Sequence, residues 1–236
     1  MSHATVSPTE IARFDALATR WWDPTGPMRP LHAMNPARIG WIVERLCRRF
    51  SLASGPRVLD VGCGAGLASE ALARLGCNVL GLDAAAETID AARAHAEGQD
   101  LPLSYRVGAV EDLAAEGLRF PAIAALEVIE HVPDPAAFVR LLAGLLEPGG
   151  LLFLSTLNRT ARSFAIAKIG AEYVLRLLPA GTHDWRKFLT PAEVGGMMRD
   201  AGLRVGDAAG LSANPLTGQW RTTRDLSVNY LMAGEL

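Results

Sequence analysis

From residue 57 onward, short apolar runs alternate with stretches of helical period. Arg57 to Val61, Asn78 to Leu82, Ser104 to Val107, Ala122 to Leu126 and Leu151 to Thr156 read as strands. Helices are expected from about Leu67 to Leu75, from about Glu87 to Ala96, and from Pro135 to Leu146 behind an Asp134 cap. Strands separated by helices make parallel βαβ units, so the chain is α/β. Glu147-Pro148-Gly149-Gly150 reads as a stop before the fifth strand, and Thr190-Pro191-Ala192-Glu193 as a capping box whose helix Gly202 ends. An antiparallel pair near Leu203 to Leu211 and Leu226 to Met232 completes a mostly parallel seven-stranded sheet with an antiparallel edge.

The first 50 residues follow a different pattern. In Ser7-Pro8-Thr9-Glu10 the serine can cap a helix running to about Thr19, with proline at the first helical position and Glu10 reaching back. Trp21 to Met34, rich in proline and glycine, reads as a loop or lid; its paired tryptophans suit a lid and ordinary packing alike. Asn35-Pro36 then starts a helix to about Arg49. The division is an N-terminal helical lid, 1–50, and a domain, 51–236, that carries an inserted amphipathic segment, 159–187. Within that segment, over 163–178, Lys168, Glu172 and Arg176 recur every fourth residue and mark one stripe of a helix that is otherwise largely apolar. Such a helix either packs on the domain or lies in a membrane surface, where Arg159 and Arg162 could meet anionic headgroups.

Composition narrows the classes. The 236 residues hold 23 Lys plus Arg against 25 Asp plus Glu, a net charge of −2, and half are hydrophobic. That supplies a core and no basic field, so disorder and nucleic-acid binding are disfavoured. Cys47, Cys63 and Cys77 are odd in number and lack metal-knuckle spacing, which fits a reducing cytoplasm. The first thirty residues show no signal-peptide pattern, and no apolar stretch reaches the roughly 20 residues of a membrane span. Any membrane contact is expected to be peripheral.

The sharpest chemical signal is Asp60-Val61-Gly62-Cys63-Gly64-Ala65-Gly66, between a strand and a helix, where a backbone must turn tightly and approach a ligand. Asp83 ends the next strand, placed to take a ribose diol. A dinucleotide fingerprint would need a glycine where Leu67 stands, so an NAD-dependent oxidoreductase is the weaker reading.

At these residues the chain resembles class I S-adenosylmethionine-dependent methyltransferases, whose Rossmann-like fold the element order fits. The resemblance implies that Asp60, Gly62 and Gly64 hold the methionine part of the cofactor, that Asp83 takes the ribose, that Val110-Glu111-Asp112 borders the adenine, and that Leu126 packs near it. Arg20-Trp21-Trp22-Asp23, Pro30-Leu31-His32, Asn35-Pro36-Ala37-Arg38, Glu127 to Asp134, Ser155 to Arg159 and Gly181 to Trp185 extend the likeness to nearly the whole chain. They look like the ubiquinone-biosynthesis O-methyltransferase family. The implied acceptors are polyprenylated catechols, a polyprenyl hydroxyphenol and demethylubiquinol. Arg38 would meet the cofactor carboxylate, although an exposed helix-face charge is the plainer alternative. The family also implies peripheral attachment at the inner face of the membrane and a complex with other enzymes of the route. A methyltransferase acting on another small molecule would share the core motifs.

Glu127, Glu130 and His131 stand at i, i+3 and i+4 after the fourth strand, at the carboxyl edge where ligands bind. In a helical turn they would share a face and could hold a divalent ion, magnesium by the resemblance, that lowers the pKa of the acceptor phenol. The metal-free alternative makes His131 the general base and leaves Glu127 and Glu130 to orient it or to hold the cofactor.

Overall fold

The computed structural model describes residues 5–165, 185–214 and 217–236. Strand alternation in β1 (Arg57–Val61) sends Val58 to one face of the sheet and Leu59 and Val61 to the other, each into its own core. One core joins Leu59 to Ile123, Phe138, Leu142, Val194 and Tyr230; the other joins Val58 to Trp41, Ile42, Leu72, Val79 and Phe153. Both faces are covered, as a parallel sheet requires.

Strands β2 (Asn78–Asp83), β3 (Leu103–Val107), β4 (Phe120–Leu126) and β5 (Leu146–Leu157) form the parallel half with β1. With β6 (Arg204–Ala213), β7 (Trp220–Thr223) and β8 (Asn229–Glu235), the order is β3-β2-β1-β4-β5-β8-β6-β7. The expected class holds, with eight strands in place of seven. β8 is antiparallel to both β5 and β6, between which it lies, and β7 pairs antiparallel to β6 at the edge. Four residues, Trp220-Arg221-Thr222-Thr223, are too few for alternation to declare a strand, and only the pairing makes one. Glu147 to Gly150 is likewise no stop: β5 runs through it, with the register shift against β4 between Phe120 and Ala122.

Helices α3 (Leu67–Arg74), α4 (Ala86–Ala96), α5 (Val110–Ala115), α6 (Pro135–Gly144), α7 (Ala161–Ser163) and α8 (Pro191–Asp200) follow the α1 and α2 helices of the N-terminal region. The predicted caps of α6 and α8 are present: Asp134 accepts from Ala137 N at 2.9 Å, and Glu193 accepts from Thr190 N at 2.7 Å while its own N–H donates to Thr190 Oγ1 at 3.3 Å. The N-terminal expectations need correction. In α1 (Pro8–Asp15) Ser7 makes no side-chain cap, and Glu10 serves a distant residue instead of reaching back. α2 (Arg29–Arg49) runs straight through Asn35-Pro36, because Asn35 is engaged in a tertiary bond and does not cap; the loop before it spans only residues 21–28. Arg159 pairs with Glu193, and Arg162 lies 2.5 Å from Asp225, so both guanidinium groups have partners within the chain. The stripe of Lys168, Glu172 and Arg176 lies outside the described residues.

Candidate active site

The chain runs from β1 to β2 and β3 on one side and then crosses back to β4 on the other side of β1, and this reversal opens a crevice at the carboxyl ends of the strands. A cavity of about 710 Å³ fills it. Arg38, Asp60, Gly62, Gly64, Asp83, Leu126, Glu127, Glu130 and His131 all line this one cavity.

The glycine loop is tied down by bonds from Gly62 N and Cys63 N to Leu82 O, 2.7 and 3.2 Å, at the end of β2. Gly62 and Gly64 have φ of +66° and +55°. A Cβ at Gly62 would lie 2.4 Å from Val128 Cγ2, and one at Gly64 would lie 2.2 Å from Trp21 Cζ2. Both the turn and the close approach therefore demand glycine.

Asp60 is buried, and Ser69 in the first turn of α3 donates to its Oδ2 at 2.6 Å. Burial pushes its carboxyl up to about 6, against the opposing pull of Ser69 and Arg38. Asp83 accepts from Gly64 N at 2.8 Å and from Ala85 N at 2.9 Å, yet burial still raises its pKa. Each of its oxygens retains a lone pair for a ligand. Arg38 is no surface charge: it is 3% exposed, its Nε donates to Asn35 Oδ1 at 2.9 Å, and Asn35 donates to Leu67 O at 2.8 Å. α2 thus sets the guanidinium beside the glycine loop. Burial lowers its pKa, while the Glu127 and Asp60 carboxylates oppose that shift.

The segment after β4 departs from expectation. Glu127 has φ +59°, so the chain leaves the strand through a left-handed residue into a turn closed by His131 N donating to Val128 O at 2.8 Å. The shared helical face never forms. Glu127 accepts from Ser155 Oγ at 2.6 Å and from Asn229 Nδ2 at 3.1 Å; Glu130 accepts from Thr156 Oγ1 at 2.9 Å; His131 Nδ1 lies 3.2 Å from Glu10 Oε2. The three side chains share no partner, and no cluster of three metal-ligating groups occurs among the described residues. Glu127, Glu130 and His131 as placed here do not fit the predicted magnesium site. Glu130 is 5% exposed, and burial first and the Glu127 charge second raise the pKa of its carboxyl.

Of the expected adenine border only Val110 lines the cavity; Glu111 accepts from Thr5 N and Thr5 Oγ1 at 3.0 and 2.7 Å, and Asp112 caps α5. Sequence reasoning missed the N-terminal wall made by Glu10, Phe14 and Leu17 and the partners Asn229 and Ser155. Glu10 carried a signal that pointed elsewhere, to a capping box, and Asn229 carried none. Counting ionisable lining groups, Glu10, Asp60, Asp83, Glu127 and Glu130 face Arg13 and Arg38, beside His131. Such a wall favours a cationic ligand.

A methyltransferase-domain family model matches residues 35–207. The ubiquinone biosynthesis O-methyltransferase of Azorhizobium caulinodans is 47% identical over 99% of this chain and 95% of its own length. That of Methylobacterium nodulans is 50% identical over 96% and 94%. Among solved structures, magnesium protoporphyrin IX methyltransferase from Synechocystis with bound SAH superposes with a TM-score of 0.69 at 20% identity, covering 96% of this chain and 99% of that one. A SAM-dependent methyltransferase from Aquifex aeolicus gives 0.59 at 16%, covering 98% of each. The structural likeness establishes the fold, and with half the residues shared along nearly the whole length of its relatives, the chain belongs to the ubiquinone biosynthesis O-methyltransferase family.

Proposed function

We propose that this chain transfers a methyl group from S-adenosylmethionine to a hydroxyl of a polyprenylated catechol on the route to ubiquinone. The carrying observation is one cavity that runs from the glycine loop and Asp83 to His131, acid-rich yet mostly apolar in its walls. The relatives' printed name supports the quinone route, and the SAH of the Synechocystis enzyme supports the cofactor.

The residues present suit that cofactor. Asp60 offers a carboxylate to its ammonium group, Arg38 a guanidinium to its carboxylate, and Asp83 two oxygens to the ribose hydroxyls. Gly62 and Gly64 leave the backbone open to it, and Leu126 gives an apolar wall. When bound, the cofactor supplies an electrophilic methyl group on a sulfonium.

The protein must align the acceptor oxygen and take its proton. A phenol ionises near 10, as tyrosine does, so at neutral pH a base is needed. His131, on the cavity wall, is that base. Phe14, Leu17, Trp21 and Met28 close the cavity from the N-terminal side and exclude water, which strengthens every charge interaction inside. Val132, Phe138, Leu157 and Val228 line it with apolar surface suited to a prenyl tail.

The test is incubation of the purified chain with labelled S-adenosylmethionine and a short-chain demethylubiquinol under reducing conditions. Label on the quinol supports the reading; cofactor binding without transfer assigns another acceptor. Saturable NADH binding would instead favour the oxidoreductase. Membrane contact belongs to the same proposal, and what supports it is the amphipathic spacing of residues 163–178 in the sequence, with packing on the domain the alternative; among the described residues no helix is long and apolar enough to cross a membrane. Liposome sedimentation of the full chain against one lacking 163–178 reads this, and equal binding by the two would remove the assignment.

A further inference from the structure

The two adjacent tryptophans that open the loop 21–28 have different tasks. Trp21 is buried on the cavity wall, with the edge of its ring over Gly64. Trp22 turns to the helices behind the glycine loop. Its Nε1 donates to Ala65 O in that loop at 2.9 Å, and its ring stacks on the imidazole of His95, with centroids 3.4 Å apart and planes at 3°. From α2, His32 meets the same ring edge-on at 5.8 Å and donates through Nε2 to Trp21 O at 2.8 Å.

His95, in the last turn of α4, is itself fixed. Its Nδ1 bonds Glu70 Oε1 at 2.6 Å, and Glu70, in the first turn of α3, is 2% exposed. A carboxylate buried this deeply requires partners. It takes Arg74 one turn along its own helix, at 2.9 Å, on one oxygen and the imidazole on the other. Gln99 joins the same group, donating to His95 O and accepting from Arg74. Ala92, three residues before His95 on α4, packs in one cluster with Trp21. The helices that carry this platform are the two that follow the glycine loop and Asp83, so they also flank the ligand crevice. His95 itself lies outside the cavity wall.

We propose that His95 is a positioning residue for the lid. It holds Trp22 against α3 and α4, and through Trp22 it seats Trp21 over Gly64, so that a bound cofactor is kept inside a closed cavity. This rests on the reading of S-adenosylmethionine as the ligand. Glu70 fixes the imidazole, and the imidazole face is the surface on which the lid closes. Because the product of the transfer occupies the same cavity, parting of Trp22 from His95 is a step in its release.

The test is the dissociation rate of S-adenosylhomocysteine from the full chain, read by stopped flow beside calorimetric affinity and thermal melts. His95→Ala should speed dissociation about 2- to 10-fold, the worth of one stacked ring pair. Two further variants separate the stack from the bond to Glu70 and cover the case in which the alanine variant fails to fold. His95→Phe keeps a ring and should recover most of the slow release; His95→Gln keeps a polar partner for Glu70 and should release as fast as His95→Ala. The reverse order, with His95→Gln like wild type and His95→Phe fast, would assign His95 to supporting Glu70 and overturn the lid role. Fluorine NMR of the chain labelled with 5-fluorotryptophan reads the lid without a ligand. There His95→Ala and His95→Gln should move the Trp21 resonance as well as that of Trp22, and a Trp21 resonance unmoved in both would overturn the proposal. If wild type binds no S-adenosylhomocysteine, the cofactor reading fails, and the seating of Trp21 by His95 stands or falls on those resonances alone.

Discussion

Asn229 donates its side-chain amide to both carboxylate oxygens of Glu127 at 3.1 Å, across 102 residues of chain. The contact ties the antiparallel strand β8 to the residue that ends β4, and with Ser155 it holds the Glu127 carboxylate in place. Asn229→Ala removes two charge-assisted bonds from a half-buried carboxylate. We expect a loss of about 1–3 kcal/mol in denaturant melts. Asn229→Asp sets like charges together and should cost more; equal stability of the two variants would show that the contact contributes no charge pairing.

Gly64→Ala should strain the loop and displace the lid together. The φ of +55° disfavours a side chain, and the new Cβ would meet the Trp21 ring at 2.2 Å. Trp21 is buried, so its release into water should shift tryptophan emission to the red, and cofactor affinity should fall. Unchanged emission would mean that the ring accommodates the methyl group in place.

Asp83→Ala should weaken S-adenosylmethionine binding by roughly 2–4 kcal/mol through loss of two buried hydrogen bonds. Asp83 also accepts from Gly64 N and Ala85 N, so the same change loosens the glycine loop. Asp83→Asn retains an acceptor and should fall between. Calorimetry with all three proteins reads the order, and unaltered affinity in the alanine variant would dismiss the ribose role.

Stability should fall with rising pH across the titration of Asp60. Burial raises its folded pKa to about 6, whereas the unfolded chain ionises it near 4. Between about pH 4 and 6 the folded state keeps a proton that the unfolded state has released, so folding loses about 3 kcal/mol from this group as pH rises through that window. Outside the window the contribution is flat. Denaturant melts from acid to neutral pH should show the slope in wild type and lose that share of it in Asp60→Asn; an identical slope in both would assign it elsewhere.

The glycine loop was legible from sequence because its requirement is local. Asp60, Gly62 and Gly64 follow a β-branched run and open a helix, and backbone sterics alone make that spacing a ligand turn. The parallel strands and the Asp134 and Thr190 caps were legible for the same reason, since period and capping act over a few residues. What lies far apart along the chain was decided only by the tertiary structure. That residues 127–131 form a turn and no helical face goes with the hold on the Glu127 carboxylate by Ser155 and Asn229, which arrive from other strands. Whether Asn35 caps a helix or supports Arg38 depends on where Leu67 lies. The four residues of β7 become a strand only once β6 offers its edge. Glu10 fits two roles equally well by local pattern, and the packing of α1 across the cavity selects the one beside His131. Local propensity differences of about a kilocalorie are outweighed by the burial and hydrogen bonding of distant partners.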